Sequence, residues 1–204
     1  MIDFRTVRPG LAAMLRVLIL SVLCFSFAVH ADNGVSSEKA QVLRIDPVAR
    51  DGKLYLDADV QLDVQGDLRN IALKGIPIYF TASTEIVAKR WWWLDKVVAR
   101  QQITWRIVYN ALTRQWRVGT GDLSLPESSL DDALSRVKYI RGWAVADLAD
   151  LDHDETYDGR LRVKLDTSLL ARPFQIDALN SSAWSLATPW KNFSFSISID
   201  VAQP

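Results

Sequence analysis

Residues 54–64 read LYLDADVQLDV, in which Leu54, Leu56, Ala58, Val60, Leu62 and Val64 alternate strictly with Tyr55, Asp57, Asp59, Gln61 and Asp63. A period of two puts each set on its own face of an extended strand, so the even-numbered side chains belong to a core and the odd-numbered ones to water. Just upstream, QVLRIDPVAR (41–50) ends at Asp51-Gly52. That pair accepts the positive backbone angles of a tight hairpin turn. The fold therefore opens with an antiparallel hairpin.

Working outward, the alternation returns in IPIYFTASTEI (76–86), ITWRIVYN (103–110), RQWRV (114–118), RLRVKLD (160–166) and FSFSISIDV (193–201). The short link Asn110-Ala111-Leu112-Thr113 makes a second hairpin around Trp105 and Trp116. The pattern predicts a mainly β chain, an antiparallel β-sandwich (immunoglobulin-like) of about eight strands. Periodicity does not separate stacking from closure into a barrel. One amphipathic α-helix interrupts the strands: Ser129 and Asp132 form an N-terminal capping pair, and Leu130, Ala133, Leu134, Val137 and Ile140 form one stripe. Gly142 is its stop. A shorter turn, GDLRNIALKG (66–75), takes Asp67 as cap and Gly75 as stop, and Pro77 suggests that the next strand lies at a sheet edge.

The first 31 residues combine Arg5, Arg8 and Arg16 with an apolar run from Val17 to Val29 and then Val29-His30-Ala31. This is the order of a cleaved secretory signal peptide, and the run is about half the length a spanning helix needs. A retained anchor is the alternative. Cys24, the only cysteine, follows bulky Leu23 rather than the small residue of a lipidation signal, so residues 32–204 carry no thiol and no disulfide. They read as a single domain in the periplasm. Of 24 basic and 24 acidic residues, the signal segment removes three and one, leaving a formal charge of −2. Such balance predicts no electrostatic footprint for nucleic acid or an anionic membrane.

Catalytic signals are sparse. With His30 in the signal segment, His153 is the only imidazole, which argues against a Ser-His-Asp triad or a multi-histidine metal site; it reads as a solvated loop residue. Asp150, Asp152, Asp154 and Asp158 repeat the spacing of a calcium loop, but Glu155 stands where that loop needs glycine and Leu161 where it needs a bidentate glutamate. No metal, cofactor or nucleotide-binding loop is expected.

Aromatics remain. Eight tryptophans are present, and three stand together in KRWWWLDK (89–96). On a strand that continues the face of Ile78, Phe80, Ala82 and Ile86, Trp92 points inward while Trp91 and Trp93 point outward. Arg90, Trp91 and Trp93 are thus the candidate contact residues for a partner or ligand. The competing reading is that the helix covers them and they are core.

GIPIYF followed by RWWW, ITWRIVYNALTRQWRV, LDDALSRVKYIRGWAV, LRVKLDTSLLARPFQIDAL and WSLATPWKNFSFSI together resemble the Domain of Unknown Function 4390 family of proteobacterial exported proteins. The matching positions are Gly75, Ile76, Pro77, Arg90, Trp91, Trp92, Tyr109, Leu112, Gly142, Trp143, Pro173 and Gln175. The resemblance covers the chain from about Ala40 and implies no activity, cofactor or catalytic residue. It does imply an exported accessory role beside a membrane sensor kinase.

The expected function is a non-enzymatic periplasmic binding or accessory protein of the cell envelope, with an envelope protein as partner. Its alternatives are a scaffolding part of an envelope complex and an enzyme of unfamiliar type. Mass spectrometry of the protein from envelope fractions is expected to find Asp32 at the N-terminus; a chain retaining Met1, or lipid on Cys24, contradicts the signal-peptide reading.

Overall fold

Strand β1 (Ala40–Arg50) and strand β2 (Lys53–Leu62) pair antiparallel across a two-residue turn. Asp51 and Gly52 both have positive φ, 49° and 71°, as the sequence predicts. In this computed structural model, residues 40–64, 66–89, 95–152, 155–179 and 184–197 are described. Leu54, Leu56, Ala58, Val60, Leu62 and Val64 are all buried, none more than 4% exposed. The strict alternation is the core of the first sheet.

Nine strands occur among the described residues, where the pattern predicts about eight. After helix α1 (Asp67–Leu73) come β3 (Ile78–Ala88), β4 (Lys96–Asn110), β5 (Gln115–Thr120) and β6 (Leu123–Glu127). Helix α2 (Leu130–Lys138) leads into β7 (Tyr139–Asp147); β8 (Thr156–Leu165), helix α3 (Arg172–Leu179) and β9 (Lys191–Ser196) complete the order. Two antiparallel sheets result, one of order β1-β2-β7 and one of order β6-β5-β4-β3-β8-β9. Buried side chains of both sheets and of α2 belong to one hydrophobic core. Strand β7 approaches β4, β1 approaches β8 and β9, and α2 packs against β2, β4, β5, β6 and β7.

Four expectations are corrected. Helix α2 begins as predicted, with Ser129 Oγ accepting the Asp132 N–H at 3.0 Å, but it ends at Lys138. Tyr139–Asp147 instead forms strand β7. Its aromatic and β-branched side chains suit a pleated surface better than a helix, and Gly142, read as a helix stop, sits in a bulge with φ 61° while its N–H donates to Asp57 Oδ1 at 2.6 Å. The bulge keeps Ile140, Trp143 and Val145 all on the core side, despite the three-residue step from Ile140 to Trp143.

Helix α1 is capped at Gly66 without a side-chain hydrogen bond, so Asp67 lies in its first turn and is not its cap. Gly75 does end it: its N–H donates to the Ala72 carbonyl and its φ is 83°. Strand β3 is central, not an edge, because Pro77 precedes its first residue and removes no ladder donor. The sequence pattern predicts one amphipathic helix; among the described residues there are three α-helices, since α1 is longer than a turn and the segment around Pro173 is helical.

Replacing Leu56 by Asp forces an unpaired carboxylate into the core and is expected to unfold the domain. Leu56→Ala should cost about 2 to 5 kcal/mol. Tyr55, on the other face beneath the Arg50 guanidinium at 4.5 Å, should tolerate Asp. Denaturant midpoints of the three variants check this pattern; equal damage at both positions contradicts it.

Candidate functional site

The outward face of the six-stranded sheet is made by the positions that alternate with the core. On β3, Thr81 lies opposite Thr104 and Lys164, Ser83 opposite Gln102 and Arg162, Glu85 opposite Arg100 and Arg160, and Val87 opposite Asp158. Although they face outward, Thr81 and Ser83 are only 2% and 7% exposed. Thr81 Oγ1 lies 2.9 Å from Thr104 Oγ1 and donates to Asp166 Oδ2 at 3.2 Å.

Glu85 is the electrostatic centre of this face. Its two carboxylate oxygens accept from Arg100 Nη2 at 2.9 Å and Arg160 Nη2 at 2.7 Å, and its side chain is 14% exposed. The hydrogen bonds from Arg160 and then Arg100 outweigh burial and hold its carboxyl below the ordinary glutamate range. Asp158 is held the same way, by Lys89 Nζ at 2.6 Å and Ser194 Oγ at 2.7 Å. Both groups stay ionised at neutral pH, a state suited to ion pairing and not to proton donation. On the β9 side of this face, the Trp190 ring has the guanidinium groups of Arg160 at 4.8 Å and Arg162 at 4.6 Å.

Strands β3 and β4 pair out to Ala88 and Lys96, so residues 89–95 link them at the end of this face. Arg90, Trp91 and Trp93, the contact residues expected from sequence, lie outside the described residues, as does Trp92. The same holds for the signal segment 1–31, for His153 and for Asp154. Trp105, Trp116, Trp143 and Trp184 are buried core residues. Asp158 of the calcium-like spacing is engaged with Lys89, while Asp152 bonds through its backbone to the Tyr157 hydroxyl. Among the described residues no group of three metal-ligating side chains converges.

Two cavities lie elsewhere. One of about 280 Å³ runs between β7 and the start of β4, with the Lys53–Asp147 pair on its wall. Another of about 370 Å³ lies between the end of β2, α1 and α2, floored by Leu62, Val64 and Leu134 and rimmed by Asp63, Lys138 and the Arg69–Asp131 pair. Among the described residues no helix is long and apolar enough to cross a membrane.

What sequence reasoning missed is charge placement. Lys89, Arg100, Arg106, Arg160, Arg162 and Lys164 share the outward face with three carboxylates, Glu85, Asp158 and Asp166. A balanced total therefore conceals a basic surface. The signal was readable in RLRVKLD, where every residue alternating with Leu161, Val163 and Leu165 up to Lys164 is a cation.

The family model described as "Domain of unknown function (DUF4390)" matches residues 37–194. No curated protein and no solved structure matches the chain. Of the positions singled out by the resemblance, several have structural work in the fold. Gly75 ends α1, Tyr109 packs on Trp116 at 5.0 Å, Gly142 makes the β7 bulge, and Gln175 Nε2 donates to the Ser168 and Leu170 carbonyls. Leu112 differs: it is 95% exposed on a link shaped by Asn110 Oδ1, which accepts the Leu112 and Thr113 N–H groups.

A glutamate whose folded pKa is depressed contributes stability above its unfolded pKa of about 4.3 and loses that contribution as pH falls through the folded value. Glu85→Gln is therefore expected to lower stability at pH 7 by about 1.5 to 3 kcal/mol and to flatten the acid limb below the ordinary glutamate range. Urea denaturation at a series of pH values checks this. An unchanged acid limb in the variant contradicts the role given to Glu85.

Proposed function

We propose that this chain, which belongs to the DUF4390 family, is a non-enzymatic binding or accessory protein of the cell envelope, exported to the periplasm after loss of residues 1–31. Its partner is an envelope protein, and Arg90, Trp91 and Trp93 make the contact. The observation that carries this reading is the setting of the link: it leaves the end of a charge-lined sheet face at Lys89, which is anchored to Asp158, and re-enters at exposed Lys96. Indoles on a link held by such a frame would offer broad apolar area with a polar edge, the composition enriched at recognition surfaces. Glu85 and Asp158 are taken up in pairs with Arg100, Arg160 and Lys89, and on this reading they serve to build the face. Assistance to a membrane sensor kinase follows from the family resemblance.

The sandwich arrangement belongs to the same proposal. A single core shared by two sheets, with β7 beside β4 and β1 beside β8 and β9, supports two stacked layers in which α2 extends the smaller one. The sheet orders β1-β2-β7 and β6-β5-β4-β3-β8-β9 differ from the four-plus-three order of immunoglobulin domains, so the likeness extends to the layering alone.

Trp91→Ala with Trp93→Ala is expected to leave the melting temperature nearly unchanged and to abolish capture of the envelope partner in a pull-down. Trp92→Ala is expected to cost about 3 to 5 kcal/mol, the range for deleting a buried large aromatic. A silent Trp92→Ala beside an unfolded double variant reverses the assignment of faces. Destabilisation by all three places the tryptophans in the core and removes the contact proposal.

A further inference from the structure

We infer that the outward face of the six-stranded sheet docks on an anionic phospholipid surface, with Arg106, Arg160, Arg162 and Trp190 meeting the headgroup layer. This goes beyond the protein partner proposed above and does not depend on it. The first support is charge. The chain as a whole is neutral, with 24 basic and 24 acidic residues, yet cations on this face outnumber carboxylates two to one. Glu85 is saturated by Arg100 and Arg160, and Asp158 by Lys89. Arg106 is exposed and has no ion-pair partner among the described residues. Arg162 rests its guanidinium on Trp190, and its buried Nε has no hydrogen-bond partner among the described residues. The Arg106 guanidinium is thus left for an external anion, and half-buried Arg162 adds its charge to the face beside Trp190. A weakly hydrated planar fork is matched to phosphate oxygens.

Shape is the second support. Arg106 is exposed and Trp190 is at the surface on the open face of a sheet, an arrangement that suits an extended anionic layer better than an enclosed molecule. Neighbouring strands about 4.8 Å apart spread the cations across the sheet, where each can take a separate phosphate. Trp190, at 36% exposure, adds a ring of the kind that settles at a membrane–water boundary. An acidic protein would compete for the same guanidinium groups, and sedimentation with protein-free vesicles tells the two occupants apart.

The test is sedimentation of the purified protein with vesicles of phosphatidylglycerol and phosphatidylcholine in equal parts, against vesicles of phosphatidylcholine alone. Binding is expected only to the anionic vesicles and is expected to disappear at about 1 M salt, where the screening length falls to about 3 Å. Each arginine removed should weaken binding about fivefold, so Arg106→Gln with Arg162→Gln should weaken it about thirtyfold. Lys74→Gln with Lys138→Gln, at the C-terminal ends of α1 and α2, should bind like the parent. The inference is overturned by absence of sedimentation, by equal binding to neutral vesicles, by salt-insensitive binding, or by equal losses in the two double variants. Should the arginine variant fail to fold, the lipid and salt dependence of the unsubstituted protein decides alone. Vesicles contain no protein, so failure here leaves the Trp91 and Trp93 contact untouched.

Discussion

A strand buried on both faces must give every polar side chain a partner, and β3 is such a strand. Its even-numbered residues Ile78, Phe80, Ala82 and Ile86 are fully buried in the core. On its other face Thr81 and Ser83 are nearly as inaccessible, and Glu85 is largely covered. Burying a carboxylate without compensation costs several kcal/mol. The compensation comes from the two neighbouring strands at the same register, Arg100 from β4 and Arg160 from β8. Long basic side chains cover and neutralise the central strand, and the surface they present is basic as a consequence. A requirement of folding thus shapes the chemistry of the outward face.

The three-stranded sheet depends on local devices that keep its side chains aimed at the core. The Asp51-Gly52 turn fixes the β1–β2 register, and the Gly142 bulge lets β7 bring Ile140, Trp143 and Val145 to one side. Close approach matters on the large sheet too. A Cβ on Gly159 would clash with the Phe193 ring. The missing side chain lets the Phe193, Phe195 and Tyr157 rings stack along the β8–β9 pair, with centroids 6.1 and 5.5 Å apart.

Features set by neighbours in sequence were legible. The alternation from Leu54 to Val64, the first hairpin turn and the Ser129 cap are local, and each is found where its chemistry places it. Tyr139 to Val145 was not legible as a strand, because Ile140 falls on the helical stripe and a bulge breaks the period of two. The position of β3 was also hidden: Pro77 argues for an edge, and only long-range pairing with β4 and β8 makes the strand central. The same pairing gathers Arg100, Arg160, Arg162 and Trp190 from distant segments onto one surface. Net charge could not reveal that gathering, since composition holds no record of which face a residue occupies.

Native-state hydrogen exchange, read amide by amide, tests most directly whether β3 is the element on which the large sheet depends. Amides of Phe80 to Ile86 are expected to exchange only through global unfolding, while those of the edge strands β6 and β9 exchange through smaller local openings. If β3 exchanges as readily as β6 or β9, the doubly buried strand is not the organising element, and the charged face loses its structural cause.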